Sequence, residues 1–96
     1  MKQLIISQIE VTSDGTVQVR MNKLSSDGDL IGNHRTALSP ATDINAQVAE
    51  VNSHMATQNF AAISDADVAK LTAICNAAWT AECIAAYQAA EAARNS

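Results

Sequence analysis

The stretch from Ile9 to Met21 constrains the fold more than any other part of this chain. Ile9 and Val11 alternate with polar residues before Ser13-Asp14-Gly15, and Val17, Val19 and Met21 alternate after it. A period of two marks a strand with one buried face. Loop length then follows from keeping apolar residues opposite one another. A two-residue Asp14-Gly15 loop would pair Val11 with Gln18 and Ile9 with Arg20. A three-residue Ser13-Asp14-Gly15 loop pairs Val11 with Val17 and Ile9 with Val19, and Gly15 supplies the left-handed residue that such a loop needs at its third position. The expectation is a three-residue hairpin with a bulge at Gly15.

A second turn at Ser25-Ser26-Asp27-Gly28-Asp29 leads into a third strand over about residues 30–38. Matching Val17, Val19 and Met21 requires Leu38, Thr36 and His34 to face them, which leaves Arg20 and Arg35 together on the other face. The alternative register buries Arg35 and Asn33 at greater cost. Pro40 ends the sheet, and the period changes. Thr42 or Asp43 caps a helix whose stripe is Ile44, Val48, Val51 and Met55, running to about Asn59 as a left-handed stop. Phe60 and Ile63 occupy a connector. Ser64 with Asp67 forms a capping box, with Ile63 against Val68 as its staple. A second helix carries Val68, Leu71, Ile74 and Cys75. A third begins at Thr80, with Glu82 in its first turn, Trp79 against Ile84 as a staple, and Tyr87 before an Ala-rich end. The fold class expected is α+β: a three-stranded antiparallel meander followed by three helices packed on one face, as one domain over 1–96 with the meander in 1–40 and the helical part in 41–96.

Composition narrows function mainly by exclusion. Nineteen residues are Ala, 14 of them at or after Ala61, so the 96-residue chain has few large apolar groups with which to build a core. Charges cancel in residues 1–40, and the net −4 sits entirely in 41–96. Three aromatic rings and a pI near 4.8 suit neither stacking on bases nor neutralising phosphates, so nucleic acid is not an expected partner. No apolar run approaches the ~18 residues of a membrane span, and Leu4-Ile5-Ile6 is too short for a signal-peptide core; synthesis in the cytoplasm is expected, with no membrane partner. Glycines at 15, 28 and 32 form no phosphate loop or dinucleotide fingerprint, and no GxSxG elbow exists. No cluster of acid, base and nucleophile is placed by proximity, so no enzyme activity and no cofactor are expected.

Some residues are candidates for more than packing. Cys75 and Cys83 flank the turn between the last two helices; packed thiols are expected, with a disulfide geometrically open. A metal there would need His34 and His54, and no CxxC or HxxxH spacing prepares such a site. His54 follows Glu50 by four residues, as a solvated helical pair. Asp65 and Asp67 point to different sides of a helix and read as capping residues. Arg20, His34 and Arg35 make a small basic patch on the outer sheet face, suited to a carboxylate or an acidic partner surface, while two arginines also simply keep an open face soluble. The third helix has Ala at seven positions between Ala81 and Ala93, with Cys83, Ile84 and Tyr87 as its larger apolar groups. Such a surface admits close approach of another backbone. Ile84 and Tyr87 join the arginine patch as expected protein-interface residues, with self-association an open possibility.

The segment His34-Arg35-Thr36 through Pro40 and Asp43, and the run from Ala78 through Trp79-Thr80-Ala81-Glu82 to Ala85-Ala86-Tyr87-Gln88-Ala89-Ala90, carry a resemblance. They fit the patterns HR(T/W)xLxPxxD and AxTxExIAAYQAA, and with the strand pair from Ile9 to Arg20 the chain resembles small proteins encoded in the tail-gene regions of tailed bacteriophages and prophages. The likeness covers most of the length. Ala81 departs from it where relatives frequently have Pro as the first helical residue, and Ala41 where they tend to have Gly. The resemblance implies a virion or tail-assembly context in a bacterial host, with other tail or virion proteins as partners, and supplies no active site. A small phage-encoded regulator that binds a host protein is the alternative from a different class.

Overall fold

The computed structural model describes residues 1–95. Three strands, β1 (Gln3–Val11), β2 (Val17–Leu24) and β3 (Leu30–Leu38), precede three helices, α1 (Asn45–Ala56), α2 (Asp65–Ala78) and α3 (Ala81–Arg94). The sheet is an antiparallel meander in the order β1-β2-β3. Both hairpins use the same loop. Thr12 N–H donates to Thr16 C=O at 2.9 Å and Gly15 N–H to Thr12 C=O at 3.0 Å, with Gly15 at φ 90°. Ser25 N–H donates to Asp29 C=O at 2.8 Å and Gly28 N–H to Ser25 C=O at 2.9 Å, with Gly28 at φ 91°. Each is the three-residue turn with glycine in the left-handed region that the first hairpin's pairing called for.

The registers agree with the alternation. Val11 pairs with Val17 and Ile9 with Val19; Val17, Val19 and Met21 pair with Leu38, Thr36 and His34. Two register shifts are additional: in β2·β3 Lys23 pairs with Gly32 but Leu24 with Leu30, which leaves Ile31 over beside the second turn, and β1·β2 has a shift of its own. The β1·β2 register shifts between Ile6 and Gln8, a bulge at Ser7 that returns Leu4 and Ile6 to the same face as Ile9. Leu4 is buried, as are Val17, Val19 and Met21 on β2. Val11 departs from the hairpin pattern: it remains 47% exposed at the hairpin's far end.

The helices close this face. Ile44, Val48 and Met55 bury α1, Phe60 and Ile63 bury the connector, Leu71 and Cys75 bury α2, and Trp79 fills the link to α3; among the described residues no buried side chain is charged or polar. α1 starts later than Thr42 or Asp43: Ile44 occupies the cap without a side-chain bond, and Asp43 Oδ1 instead accepts Asn45 N–H at 2.8 Å. Asn59 does stop the chain in the left-handed region, φ 68°, after the helix proper has ended at Ala56. Thr80 Oγ1 accepts Cys83 N–H at 3.1 Å and so starts α3 without the proline of the resembling proteins. Ser64 Oγ accepts Asp67 N–H at 3.2 Å, but the capping box is only half formed. The Asp67 carboxylate turns away to accept Ile6 N–H at 3.2 Å, and thereby holds β1 beside its bulge.

The result is elongated. The radius of gyration is 14.6 Å and the principal extents are 46 × 27 × 19 Å, against about 12 to 13 Å for the radius of a compact chain of this length. α3 accounts for part of this, since none of its residues is buried. No helix among the described residues is long and apolar enough to cross a membrane.

Candidate interaction surface

Strand alternation sends Gln8, Glu10, Gln18, Arg20, Arg35 and Ala37 to the face that no helix covers. There they line a shallow groove of about 320 Å³. Arg20 and Arg35 are directly opposite each other across β2 and β3. Like charges in that position repel, and among the described residues neither guanidinium has a carboxylate partner; the one ion pair is Arg94 with Glu91 on α3. Ser7 Oγ donates to Arg20 C=O at 3.1 Å, which fixes the backbone beneath the pair. Toward the second turn the surface becomes apolar, with Ile5 44%, Ile31 54% and Leu30 62% exposed. Two planar forks of N–H donors flanked by amides can grip carboxylates in a bidentate manner.

His34 does not belong to this patch. Adjacent strand residues point to opposite faces, so with Arg35 outward His34 lies on the helix side, opposite Met21. Its ring is 5.8 Å from that of His54 on α1. Partial burial, then the nearby Lys23 and His54 charges, hold the His34 imidazole below its ordinary pKa. His54 therefore meets a ring from another element, and no Glu50–His54 ion pair forms among the described residues.

Ile84 and Tyr87 lie apart from the arginines and serve the fold. Ile84 packs against the core, and Tyr87 Oη donates to Ser39 Oγ at 3.0 Å. What α3 leaves outward is its alanine face, beside a groove of about 500 Å³ to which Asn76, Trp79, Ala81, Ile84 and Ala85 contribute. Cys75 and Cys83 are both free thiols. Burial pushes the Cys75 thiol up to about 11. Cys83 sits at the tip of the first hairpin, 3.9 Å from Asp14 C=O. His34 on β3 pairs with Met21, six residues along the hairpin from Gly15 and so about 20 Å away, and the His54 ring lies beside it. Among the described residues no three His, Cys, Asp or Glu side chains converge where they could hold a metal.

Periodicity also concealed three tertiary ties. Trp79 Nε1 donates to Gly15 C=O at 2.7 Å in a buried bond that spans 64 residues. Gln47 Oε1 accepts Ser39 N–H and its Nε2 donates to Ser39 C=O, both at 2.9 Å. Lys2 and Lys23 place their ammonium groups 4.5 and 5.7 Å from the Phe60 ring centroid. Each is a polar group answering a need created by another element, which spacing along the chain does not reveal.

A scan of protein-family models finds no match to this chain, and searches of curated proteins and of solved structures find none either.

Proposed function

We propose that the protein is a non-enzymatic structural or assembly component of a phage tail, and that it works by contact with other virion proteins. The phage context rests on the resemblance of the His34–Asp43 and Ala78–Ala90 segments. The contact surface is supported by one observation above all: Arg20 and Arg35 are opposed on an uncovered sheet face, and among the described residues neither forms an ion pair, although Glu10 lines the same groove. A partner that brings acidic side chains relieves that repulsion and gains bidentate hydrogen bonds. The apolar end at Ile5 and Ile31 adds area to the same face.

Purified phage particles carrying wild-type protein, Arg35→Glu or the double change Arg20→Ala/Arg35→Ala test the reading. Co-purification with tails that is lost in both variants, while each still folds, is the expected result. A protein found in assembly intermediates and missing from finished tails selects the assembly role over the structural one. Capture of a host factor as sole partner, with no tail association at any stage, refutes the proposal in favour of a host-directed regulator.

A further inference from the structure

The two margins of the sheet are treated differently. Along β1 the chain occupies its own edge: Ala61 N–H donates to Lys2 C=O at 2.9 Å, Lys2 bridges to Phe60, and Ile6 N–H goes to Asp67. Along β3 the outward groups follow from the direction of bonding on β2. Thr16 C=O accepts Thr12 N–H from the β1 side, and Ser25 N–H donates to Asp29 C=O on the β3 side. Backbone bonding alternates from residue to residue along a strand, so even positions of β2 serve β1 and odd positions serve β3. The odd positions Val17, Val19, Met21 and Lys23 pair with Leu38, Thr36, His34 and Gly32. The N–H and C=O groups of Asn33, Arg35 and Ala37 therefore point away from the sheet.

Ser39 is next in that series, and the Gln47 side-chain amide takes both of its backbone groups at 2.9 Å. Among the described residues nothing does the same for the other three. Asn33, Arg35 and Ala37 are exposed, and even the inward Gly32, His34 and Thr36 are only half-buried, so no element roofs this margin. The pairing is regular from Gly32 to Leu38, and the leftover Ile31 blunts only the end beside the second turn. The strand has no Pro, Lys or acidic residue to keep another strand away.

We infer that this margin is the docking edge of the protein, and that its occupant is an extended acidic segment of another virion protein, added as a fourth strand with a carboxylate opposite Arg35. The inference rests on the function proposed above and gives the partner its form. Three outward pairs of N–H and C=O groups are completed by an extended chain, as Gln47 completes the pair at Ser39. Charge fixes the chemistry of that chain. Arg35 has Arg20 directly opposite it on β2, and the position opposite on its other side falls to the added strand. Side chains so placed stand about 4.5 to 5.5 Å apart at Cβ. A carboxylate there draws the Arg35 guanidinium outward, forms the bidentate pair and relieves the repulsion from Arg20. Asn33 and Ala37, its neighbours on the same face, bring no charge of their own. A second copy does not meet these needs. The regular run centres on Arg35, so pairing it antiparallel with itself over its whole length sets like charges opposite each other, and the β1 margin is already taken.

Hydrogen exchange in isolated protein and in tail particles, read by mass spectrometry, tests this. The segment 32–38 should hold three more protected amides in the particle than in the free chain, those of Asn33, Arg35 and Ala37. Ala37→Pro removes one outward donor without touching the ladder to β2, and should cut co-purification with tails about tenfold while circular dichroism is unchanged. Arg35→Lys keeps the charge and supplies an amine that a carbodiimide joins to a touching carboxylate; the expected product links it to an Asp or Glu of another virion protein. Tail association of the wild type without added protection in 32–38 overturns the inference and leaves the proposed function standing. A folded Ala37→Pro protein that associates fully, or a cross-link to a second copy of this chain, does the same. Wild-type protein absent from tails and from assembly intermediates removes the proposed function and this inference together.

Discussion

Gly15 sits where the first hairpin meets α3, and replacing it with Ala tests how tightly that junction is built. Its φ of 90° is in the left-handed region, where a Cβ costs roughly 1 to 2 kcal/mol. The added methyl would also overlap Cys83 Sγ and lie 3.3 Å from Pro40 Cγ. Overpacking of this kind costs about 1 to 3 kcal/mol, the lower end applying where the thiol swings to its other helical rotamer. Gly15→Ala should therefore destabilise the domain by about 2 to 5 kcal/mol, a large share of the roughly 5 to 14 kcal/mol expected at this length. Urea denaturation followed by the fluorescence of Trp79, the only tryptophan, reads the change as a lowered midpoint. Cys83→Ala separates the two contributions. In that background the overlap with Sγ disappears, leaving the backbone part of about 1 to 2 kcal/mol and the close Pro40 contact, so the cycle should show a coupling of about 1 to 3 kcal/mol. A coupling within the ~0.5 kcal/mol of ordinary additivity would refute the claim that α3 rests on the turn.

Trp79→Phe keeps the packed ring and removes the bond to Gly15 C=O; it should cost about 1 to 3 kcal/mol, measured in the same urea titration, because the buried acceptor loses its donor. Cys75 is fully buried with its thiol pushed up to about 11, whereas Cys83 is part-exposed. A thiol reagent at pH 8 should label Cys83 alone in the native protein and both thiols in denaturant; rapid native labelling of Cys75 would show that the α2 core is open. The His34 pKa is depressed in the folded chain, first by burial and then by Lys23 and His54. The unfolded chain therefore binds the proton more readily, so this part of the stability is complete above about pH 6.5 and declines as pH falls through the folded value. Tm should drop between pH 7.5 and 5.5, and His34→Gln should flatten that slope; an identical slope in the variant would remove His34 as its source.

Much of the sheet was legible because its information is local. Ser13-Asp14-Gly15 with valines on either side admits one loop length, and Leu38, Thr36 and His34 admit one partner set on β2 without burying Arg35. Asn59 announces a left-handed stop through its own side chain. The bulge at Ser7 has no such signature, since the Ile6 N–H is met by Asp67, some sixty residues away. For the same reason Asp67 read as a capping partner of Ser64, although its carboxylate serves β1. Adjacency to Arg35 puts His34 in the basic patch, yet the alternation that sets the register places it on the other face. The outward pairing of Arg20 with Arg35 came directly from the register. Tyr87 offered no hint of Ser39, because a hydroxyl's partner across two elements leaves no trace in spacing.

The way β1 is held has a consequence for the chain as it leaves the ribosome. The hairpins can zip within about 1 to 10 μs, yet Ala61 and Asp67, which tie down the strand's outer margin, are translated long after Val11. At about 5 to 20 residues per second, the interval is on the order of several seconds. Throughout it the nascent meander shows two bare margins and an uncovered row of Leu4, Val17, Val19 and Met21. Chains terminated before Asp67 should be sticky, and the full-length protein becomes safe only when its second half arrives to cover the first.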